Sequence, residues 1–250
     1  MNRRDFLKIT GILAIGAASH QTAMILLSSE VKGDQAKKKR WAMAISFSAC
    51  VKREGCRDCI DNCHLIHNVP EFTDNKDKIQ WIWSSHYESV FGEQTNMFTK
   101  GMLKNLSILC LCNHCENPPC VKVCPTKATW KNKDGIIMID YHRCIGCRYC
   151  MAACPYDARS FNWKDPKPFI KEINRDFPTR AKGVVEKCNF CEERITQGLL
   201  PACVEACPEK ALTFGDLNDP ESDISRLLKT RFSIQRKPHL GTDPKVFYLF

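Results

Sequence analysis

Cysteine is the residue that most constrains this chain, because 17 of its 250 residues are cysteines and they recur in groups of four. Within the groups the members are separated by five, two and three residues, by two, four and three, by two, two and three, and by two, eleven and three. The groups are Cys50, Cys56, Cys59 and Cys63; Cys112, Cys115, Cys120 and Cys124; Cys144, Cys147, Cys150 and Cys154; and Cys188, Cys191, Cys203 and Cys207. Any fold of this chain must accommodate these thiols.

The spacing favours metal binding over disulfides. A disulfide framework is typical of shorter chains with an even cysteine count, whereas this count is odd and the thiols recur in CxxC steps. Zinc sites usually combine two CxxC pairs or add histidines, and no group here is completed by a well-spaced histidine. The third group matches the bacterial ferredoxin run CxxCxxCxxxCP. We therefore predict four [4Fe-4S] clusters with complete thiolate ligation, which suits one-electron transfer.

The N-terminus resembles a twin-arginine export signal. It reads NRRDFLK from Asn2 to Lys8, and a mildly apolar run follows from Ile9 to Leu27. This resemblance implies export of the folded protein to the periplasmic, extracytoplasmic face of the cytoplasmic membrane. The apolar run is about as long as a spanning helix, so cleavage of the signal and its retention as an anchor are both open. A short amphipathic or membrane helix that happens to begin with two arginines is the alternative.

The repeated groups predict an α+β fold of two bacterial-ferredoxin-like halves with long connecting loops. The predicted segments are the signal and basic linker (1–40), the first group with an aromatic insertion (41–102), one half with groups two and three (103–161), the connector and fourth group completing the half begun at 41–63 (162–215), and a C-terminal docking tail (216–250). A hairpin is expected at 128–131 and 136–140, turning at Asp134 and Gly135, and a short helix from Ser222 to Lys229. The aromatic residues of the insertion are interpreted as core rather than as a partner surface.

Several residues are excluded from the predicted sites. Cys110 lies in the apolar run SILCL and is expected to be a buried small hydrophobe. His64 and His114 stand next to cysteines, and we expect them to pack against or tune the sites rather than bind metal. The sequence shows no nucleotide-binding glycine motif, open metal site or nucleophile with its base, so no catalytic residue is predicted and the chain is expected to be non-catalytic.

The charge balance argues against nucleic acid. The formal net charge is +9 at pH 7. Each thiolate-ligated cluster carries about −2, so four clusters bring the loaded protein close to neutrality. The basic excess therefore compensates buried anionic cofactors, and nucleic-acid binding is not expected.

Four stretches resemble a known family. They are NHCENPPCVKVCPTKATW, DYHRCIGCRYCMAACPYDARSFNW, KGVVEKCNFCEERI and PACVEACP. They are similar to the four-cluster ferredoxin subunits of membrane-associated oxidoreductases, which include those of dimethyl sulfoxide, polysulfide and formate-dependent nitrite reductases. The similarity covers roughly residues 41–215. Together with the ending LGTDPKVFYLF, these stretches resemble most the DsrO type of exported ferredoxin subunit.

The resemblance implies a crossed ligand pattern, in which the last cysteine of each group serves a cluster held mainly by another group. The implied sets are Cys50, Cys56, Cys59 and Cys207 for cluster 1; Cys188, Cys191, Cys203 and Cys63 for cluster 2; Cys112, Cys115, Cys120 and Cys154 for cluster 3; and Cys144, Cys147, Cys150 and Cys124 for cluster 4. The five residues between Cys50 and Cys56 depart from the family's usual two.

The resemblance also implies partners. In a Dsr-type complex linked to sulfur and sulfite metabolism they would be an NrfD-type integral membrane subunit that interacts with quinone, a multihaem cytochrome c, and a haem-b membrane protein with a heterodisulfide-reductase-like partner. The chain would bind no small-molecule substrate of its own. One alternative is the electron-transfer subunit of an exported molybdopterin oxidoreductase, and another is an iron–sulfur or zinc scaffold or sensor without sustained electron flux.

Overall fold

The computed structural model describes residues 38–94 and 106–250, which form a mixed arrangement of short helices and short strands. The predicted export signal falls within residues 1–37 and so lies outside the described residues. Within 38–94 and 106–250, no helix is both long enough and apolar enough to cross a membrane.

The described strands are two to six residues long and the described α-helices four to nine. The strands are β1 (Trp41–Ser46), β2 (Ile82–His86), β3 (Ser107–Leu111), β4 (Thr129–Lys131), β5 (Ile137–Ile139), β6 (Ser160–Phe161), β7 (Val185–Glu186), β8 (Leu212–Asp216), β9 (Ser233–Ile234) and β10 (Val246–Leu249). The helices are α1 (Phe47–Cys50), α2 (Asp58–Ile66), α3 (Tyr87–Phe91), α4 (Pro119–Lys122), α5 (Tyr149–Ala152), α6 (Glu192–Ile195), α7 (Ala202–Glu205) and α8 (Asp223–Thr230). Single 3-10 turns lie at Gly92–Gln94, Lys167–Phe169 and Pro238–Leu240.

The largest sheet joins both ends of the described chain in the order β8-β1-β10-β9. Strand β1 pairs antiparallel with β8 and parallel with β10. It is almost wholly apolar because it is a central strand, and Met43 and Ile45 are fully buried. The segment predicted as a docking tail thus places β10 inside this sheet, against its own chain.

The predicted hairpin is confirmed. Strands β4 and β5 pair antiparallel, with Thr129 opposite Ile139. The Asn132 side-chain oxygen accepts hydrogen bonds from the backbone N–H groups of Asp134 and Ile136, and Gly135 has a φ of 77°. This left-handed conformation suits glycine, which explains the position of the turn.

The predicted C-terminal helix is also confirmed as α8. The Ser222 side chain caps it by accepting a hydrogen bond from the backbone N–H of Ser225. Its Ile224 is fully buried against Ala42, Ala44 and Leu249 of the largest sheet.

The aromatic insertion contributes core residues, as predicted, in its described part. Trp81, Tyr87 and Phe91 are buried, and the Phe91 ring packs edge-on against Tyr248 at 5.1 Å between centroids. Strand β2 of the insertion pairs with β3, which the sequence analysis did not predict. Cys110 on β3 is fully buried, as expected for a small hydrophobe.

A buried ion pair joins the connector to the segment before the fourth cysteine group. Arg180 Nε lies 2.7 Å from Glu186 Oε2, and both side chains are fully buried. Glu186 also accepts hydrogen bonds from Trp81 Nε1 at 2.9 Å and from Asn162 Nδ2. Arg180 Nη2 donates to the Asn68 carbonyl at 2.7 Å. This network connects the insertion, the connector and β7.

Candidate metal centres

Four short helices carry the third cysteine of each group at their second position. The pairs of helix and cysteine are α2 with Cys59, α4 with Cys120, α5 with Cys150, and α7 with Cys203. The fourth cysteine of each group follows the third by four residues. In the first group it lies within α2, and in the other groups it lies two residues beyond the end of the helix. This spacing brings each third and fourth thiol within about one helical turn of each other along the chain.

The helices pack in two pairs, α2 against α7 and α4 against α5. In each pair, the third thiol of one helix therefore lies near the fourth thiol of the other. The first pair therefore combines cysteines of groups one and four, and the second pair combines cysteines of groups two and three.

The CxxC turns of groups two, three and four share one backbone feature. The residue before the second cysteine has a positive φ in each: 42° at His114, 67° at Gly146 and 58° at Phe190. A left-handed residue turns consecutive backbone N–H groups toward one side, which suits an anionic group held by the flanking thiolates. In the first group the residue before the second cysteine, Gly55, also has a positive φ, of 72°, although five residues rather than two separate Cys50 from Cys56.

The structure brings the sixteen cysteines of the four groups together in four sets, which are the same sets that the family resemblance implied. Cys50, Cys56, Cys59 and Cys207 (set 1) line one cavity of about 580 Å³. Cys63, Cys188, Cys191 and Cys203 (set 2) line a second, and Cys124, Cys144, Cys147 and Cys150 (set 4) line a third. Cys112, Cys115, Cys120 and Cys154 (set 3) are grouped around Cys115. All 17 cysteines lie in the described residues and all are free thiols.

Several buried thiols of these sets are unfavourable as isolated anions. Burial is the main cause that raises the pKa of Cys59 to about 12, and the charges of Cys207, Cys50 and Cys56 add to it. Burial likewise raises the pKa of Cys115 to about 12, with contributions from Cys112, Cys120 and Cys154. Buried thiols this close together become thiolates when a cationic centre compensates their charge.

N–H donors point at several of the sulfurs. The backbone N–H of Ala211 donates to Cys207 Sγ at 3.2 Å, and that of Ala202 donates to Cys191 Sγ at 3.4 Å. The guanidinium of Arg159 donates to Cys120 Sγ at 3.1 Å. Four thiols per set, burial and N–H donors to sulfur are the features that an iron–sulfur cluster requires, so the residues present fit this cofactor.

Of the two histidines that stand beside cysteines, His114 is held in contacts outside the thiol sets and His64 is described by its burial. His114 is fully buried, its Nδ1 accepts a hydrogen bond from the Ile137 backbone at 3.0 Å, and its ring stacks on Phe190 at 3.7 Å. Burial lowers the pKa of His64 to about 4. These environments agree with a packing role for both.

His67 is a buried group that the sequence analysis did not single out. Its Nε2 lies 2.9 Å from Glu193 Oε1, and its Nδ1 lies 2.8 Å from the Cys63 carbonyl oxygen. His67 stands four residues after Cys63, and this helical spacing from a cysteine was the one feature of the sequence that could have identified it.

The four sets follow one another in a row. Sets 1 and 2 adjoin because α2 carries both Cys59 and Cys63. Sets 2 and 3 adjoin at Cys188, where burial and then the charge of Cys112 raise the pKa of the thiol to about 12. Sets 3 and 4 adjoin where the charge of Cys120 acts on Cys150.

The two outer sets approach the surface. Cys56 of set 1 is exposed, and Ile145 and Tyr149, which flank the set 4 cysteine Cys147, are 67 % and 62 % exposed. By contrast, all four thiols of set 2 are buried.

Comparison with known proteins agrees with this arrangement. Residues 106–169 and 173–217 match the 4Fe-4S dicluster domain family. The chain is 42 % identical over 273 residues to the Hdr-like menaquinol oxidoreductase iron-sulfur subunit 1 of Archaeoglobus fulgidus, covering 99 % of this chain and 97 % of the relative. It is 40 % identical over 211 residues to a Halobacterium salinarum protein named as an iron-sulfur subunit of dimethyl sulfoxide reductase, covering 84 % and 78 %. It is 37 % identical over 235 residues to the menaquinone reductase iron-sulfur cluster-binding subunit of Nitratidesulfovibrio vulgaris, covering 85 % and 89 %.

Proposed function

This chain belongs to the family of iron–sulfur ferredoxin subunits of membrane-associated oxidoreductases, and from that premise we propose that it holds four [4Fe-4S] clusters and relays electrons between a quinone-interacting membrane subunit and another redox subunit. The observation that carries the proposal is the continuous row of four thiol sets, buried in the middle and open at both ends. When bound, a thiolate-ligated [4Fe-4S] cluster supplies one-electron transfer without substrate chemistry. The subunit itself is therefore non-catalytic.

In this proposal the sixteen grouped cysteines are the ligands, and the fold is two ferredoxin-like halves. The helix pair α2 and α7 holds sets 1 and 2, and the pair α4 and α5 holds sets 3 and 4. Burial of the inner sets excludes water and keeps their surroundings apolar. The N–H donors to Cys191, Cys207 and Cys120 stabilise thiolate charge and fix the sulfur positions.

Partners would contact the two ends of the row. At set 4 the exposed side chains of Ile145 and Tyr149 offer apolar contact area close to Cys147. At set 1 the exposed Cys56 lies in a cavity that Val51 also lines. A redox partner at either end can approach a terminal set without displacing the core.

The complex that we propose is of the Dsr type, on the periplasmic face of the cytoplasmic membrane. The N-terminal NRRDFLK sequence and the ending LGTDPKVFYLF support this assignment. The partners would be an NrfD-type membrane subunit and a multihaem cytochrome c. The names of two relatives refer to menaquinol and menaquinone, which favours a quinone-linked role.

One observation favours a second candidate. The name of the Halobacterium salinarum relative refers to dimethyl sulfoxide reductase. A molybdopterin oxidoreductase could therefore be the partner enzyme, with the row of sets serving the same relay.

The deciding experiment is a metal and haem census of the gently solubilised native complex, normalised to this chain. We expect about sixteen irons and as many acid-labile sulfides from this chain, with covalent haem and no molybdenum. Molybdenum near one per chain would select the second candidate. Iron far below that value in the separately purified chain would refute the four-cluster proposal.

Export is tested separately by cell fractionation. Replacing Arg3 and Arg4 together by lysine should retain the protein in the cytoplasm, because the twin-arginine route requires that pair. Lys8→Arg is the matched control and should leave export intact. Periplasmic recovery of the double variant would contradict the predicted route.

A further inference from the structure

Arg159 occupies the junction between sets 3 and 4. It follows set 3's Cys154 by five residues, precedes β6, and is 5 % exposed. Its Nη2 donates to Cys120 Sγ of set 3 at 3.1 Å, and its Nη1 donates to Thr129 Oγ1 on β4 at 3.2 Å. The guanidinium is therefore held in one orientation, with one N–H directed at a sulfur.

The acidic groups that Arg159 faces are the thiols of sets 3 and 4. Among residues 38–94 and 106–250, the guanidinium of Arg159 bonds a hydroxyl and a sulfur and has no carboxylate within ion-pair distance, whereas the similarly buried Arg180 is paired with Glu186. Burial lowers the pKa of Arg159, but the charges of Cys120, Cys150, Cys112 and Cys154 outweigh it and raise the pKa above its ordinary value. A buried cation without a carboxylate is costly unless another anion compensates it, and here that anion is the thiolate sets.

We propose that Arg159 is a positioning residue that raises the reduction potentials of the third and fourth sites, acting through Cys120 and through its permanent charge. This inference rests on the proposed function, because it requires clusters in sets 3 and 4. Reduction adds one electron to a site and makes it more anionic, so a fixed cation and an N–H to sulfur both favour the reduced state. The guanidinium keeps its proton throughout, so no proton is exchanged.

The effect is expected to be larger at the third site, which contains the hydrogen-bonded Cys120. Three thiols of set 3, Cys120, Cys112 and Cys154, act on the guanidinium, whereas the fourth site experiences its charge and a side-chain hydrogen bond through Cys150 alone. Sets 1 and 2 lie beyond set 3 in the row, so their potentials should not depend on Arg159.

The test is an anaerobic redox titration of the purified full-length protein, in which the four midpoint potentials are followed by electron paramagnetic resonance. In Arg159→Met we expect at least a tenfold loss in the equilibrium constant for reduction of one site, which is 59 mV for a one-electron couple. A second site should shift in the same direction by less, and the other two should not move. Arg159→Lys should retain most of the wild-type potentials because it keeps the charge.

The matched control is Arg143→Met. Arg143 is exposed and stands next to Cys144, so water screens its charge and its removal should leave the four potentials unchanged. If Arg159→Met loses iron, Arg159→Gln replaces it, because glutamine keeps an N–H donor without the charge. The Gln and Lys variants should then differ in the two sensitive potentials.

Several outcomes would overturn the inference. One is an equal shift of the midpoint potential at all four sites, and another is an equal shift in Arg143→Met. A third is that the Gln and Lys variants have the same potentials. The last is that both neutral variants lose iron while Arg159→Lys has normal potentials. Iron and sulfide analysis of the wild type separates the two proposals. Fewer than four clusters there would refute the proposed function, while four clusters with unmoved potentials in the variants would refute only the role of Arg159.

Discussion

Replacing Arg180 by methionine should destabilise the protein strongly, because it leaves a buried carboxylate without its cation. Arg180 and Glu186 are both fully buried, with 2.7 Å between Nε and Oε2. In the variant, Glu186 retains hydrogen bonds from Trp81 and Asn162 but loses its only charged partner among the described residues. The carbonyl of Asn68 also loses its donor.

The size of the effect follows from these contacts. Breaking a buried ion pair by removing one partner costs about 3–5 kcal/mol. A loss of about 3 kcal/mol corresponds to roughly a 100-fold change in an equilibrium constant. Since Glu186 immediately precedes Lys187 and Cys188, the same change should also loosen set 2.

The assay is a double-mutant cycle on the unfolding kinetics of the assembled protein in guanidinium chloride, followed by tryptophan fluorescence. Arg180→Met should unfold up to about 100-fold faster, if the pair is broken in the transition state. Glu186→Gln should also destabilise the wild type. When it is added to Arg180→Met, however, Glu186→Gln should recover about 1–2 kcal/mol because it removes the unpaired charge.

The control is Arg226→Met on α8. Arg226 pairs with Asp223 at 3.0 Å, but both side chains are largely exposed, so this change should alter stability by less than about 0.5 kcal/mol. Additive effects of the Arg180 and Glu186 substitutions would refute the reasoning. So would an Arg180→Met variant as stable as the control.

Three further predictions concern the sites and the frame around them. Cys120→Ser and Cys124→Ser should abolish different electron paramagnetic resonance signals, because Cys120 on α4 belongs to set 3 and Cys124 after α4 belongs to set 4. Loss of the same signal in both variants would contradict the crossed sets. Gly146→Ala should destabilise the set 4 loop and lower the iron content. The added Cβ would clash with the backbone carbonyl oxygen of Gly183, and the φ of Gly146 is +67°. Gly55→Ala, with a φ of +72° and no neighbour within 4 Å, is the matched control and should cost only about 1–2 kcal/mol of backbone strain, measured by denaturant midpoint. Ser222→Ala should cost about 1 kcal/mol by removing the cap of α8, without a change in iron content; an unchanged midpoint would show that the cap contributes nothing.

Much of the site chemistry could be predicted from local spacing. The CxxC steps identified the sixteen thiols, and the turn at Asp134 and Gly135 identified the hairpin of β4 and β5. The apolar surroundings of Cys110 predicted its burial. Each of these features depends on residues only a few positions apart, where backbone geometry and burial preference act directly.

Other features required the tertiary structure. Spacing alone does not show that β10 inserts between β1 and β9, because an apolar run such as VFYLF specifies burial but not its partner strand. The pair of Arg180 and Glu186 and the placement of Arg159 against Cys120 were equally invisible, since their polar side chains resemble ordinary surface residues in sequence.

The order of the sets shows the division most clearly. Helical spacing determined that Cys59 and Cys63 lie about one turn apart, as an i and i+4 pair on α2. Helix α2 packs against α7, which comes from much later in the chain. This packing decided that Cys59 joins Cys207 and that Cys63 joins Cys203. The approach of Cys188 to Cys112 then decided that the two pairs of sets form a single row. Local geometry acts over a few residues and is written in their spacing, whereas these distant contacts depend on how the whole chain buries its apolar surface.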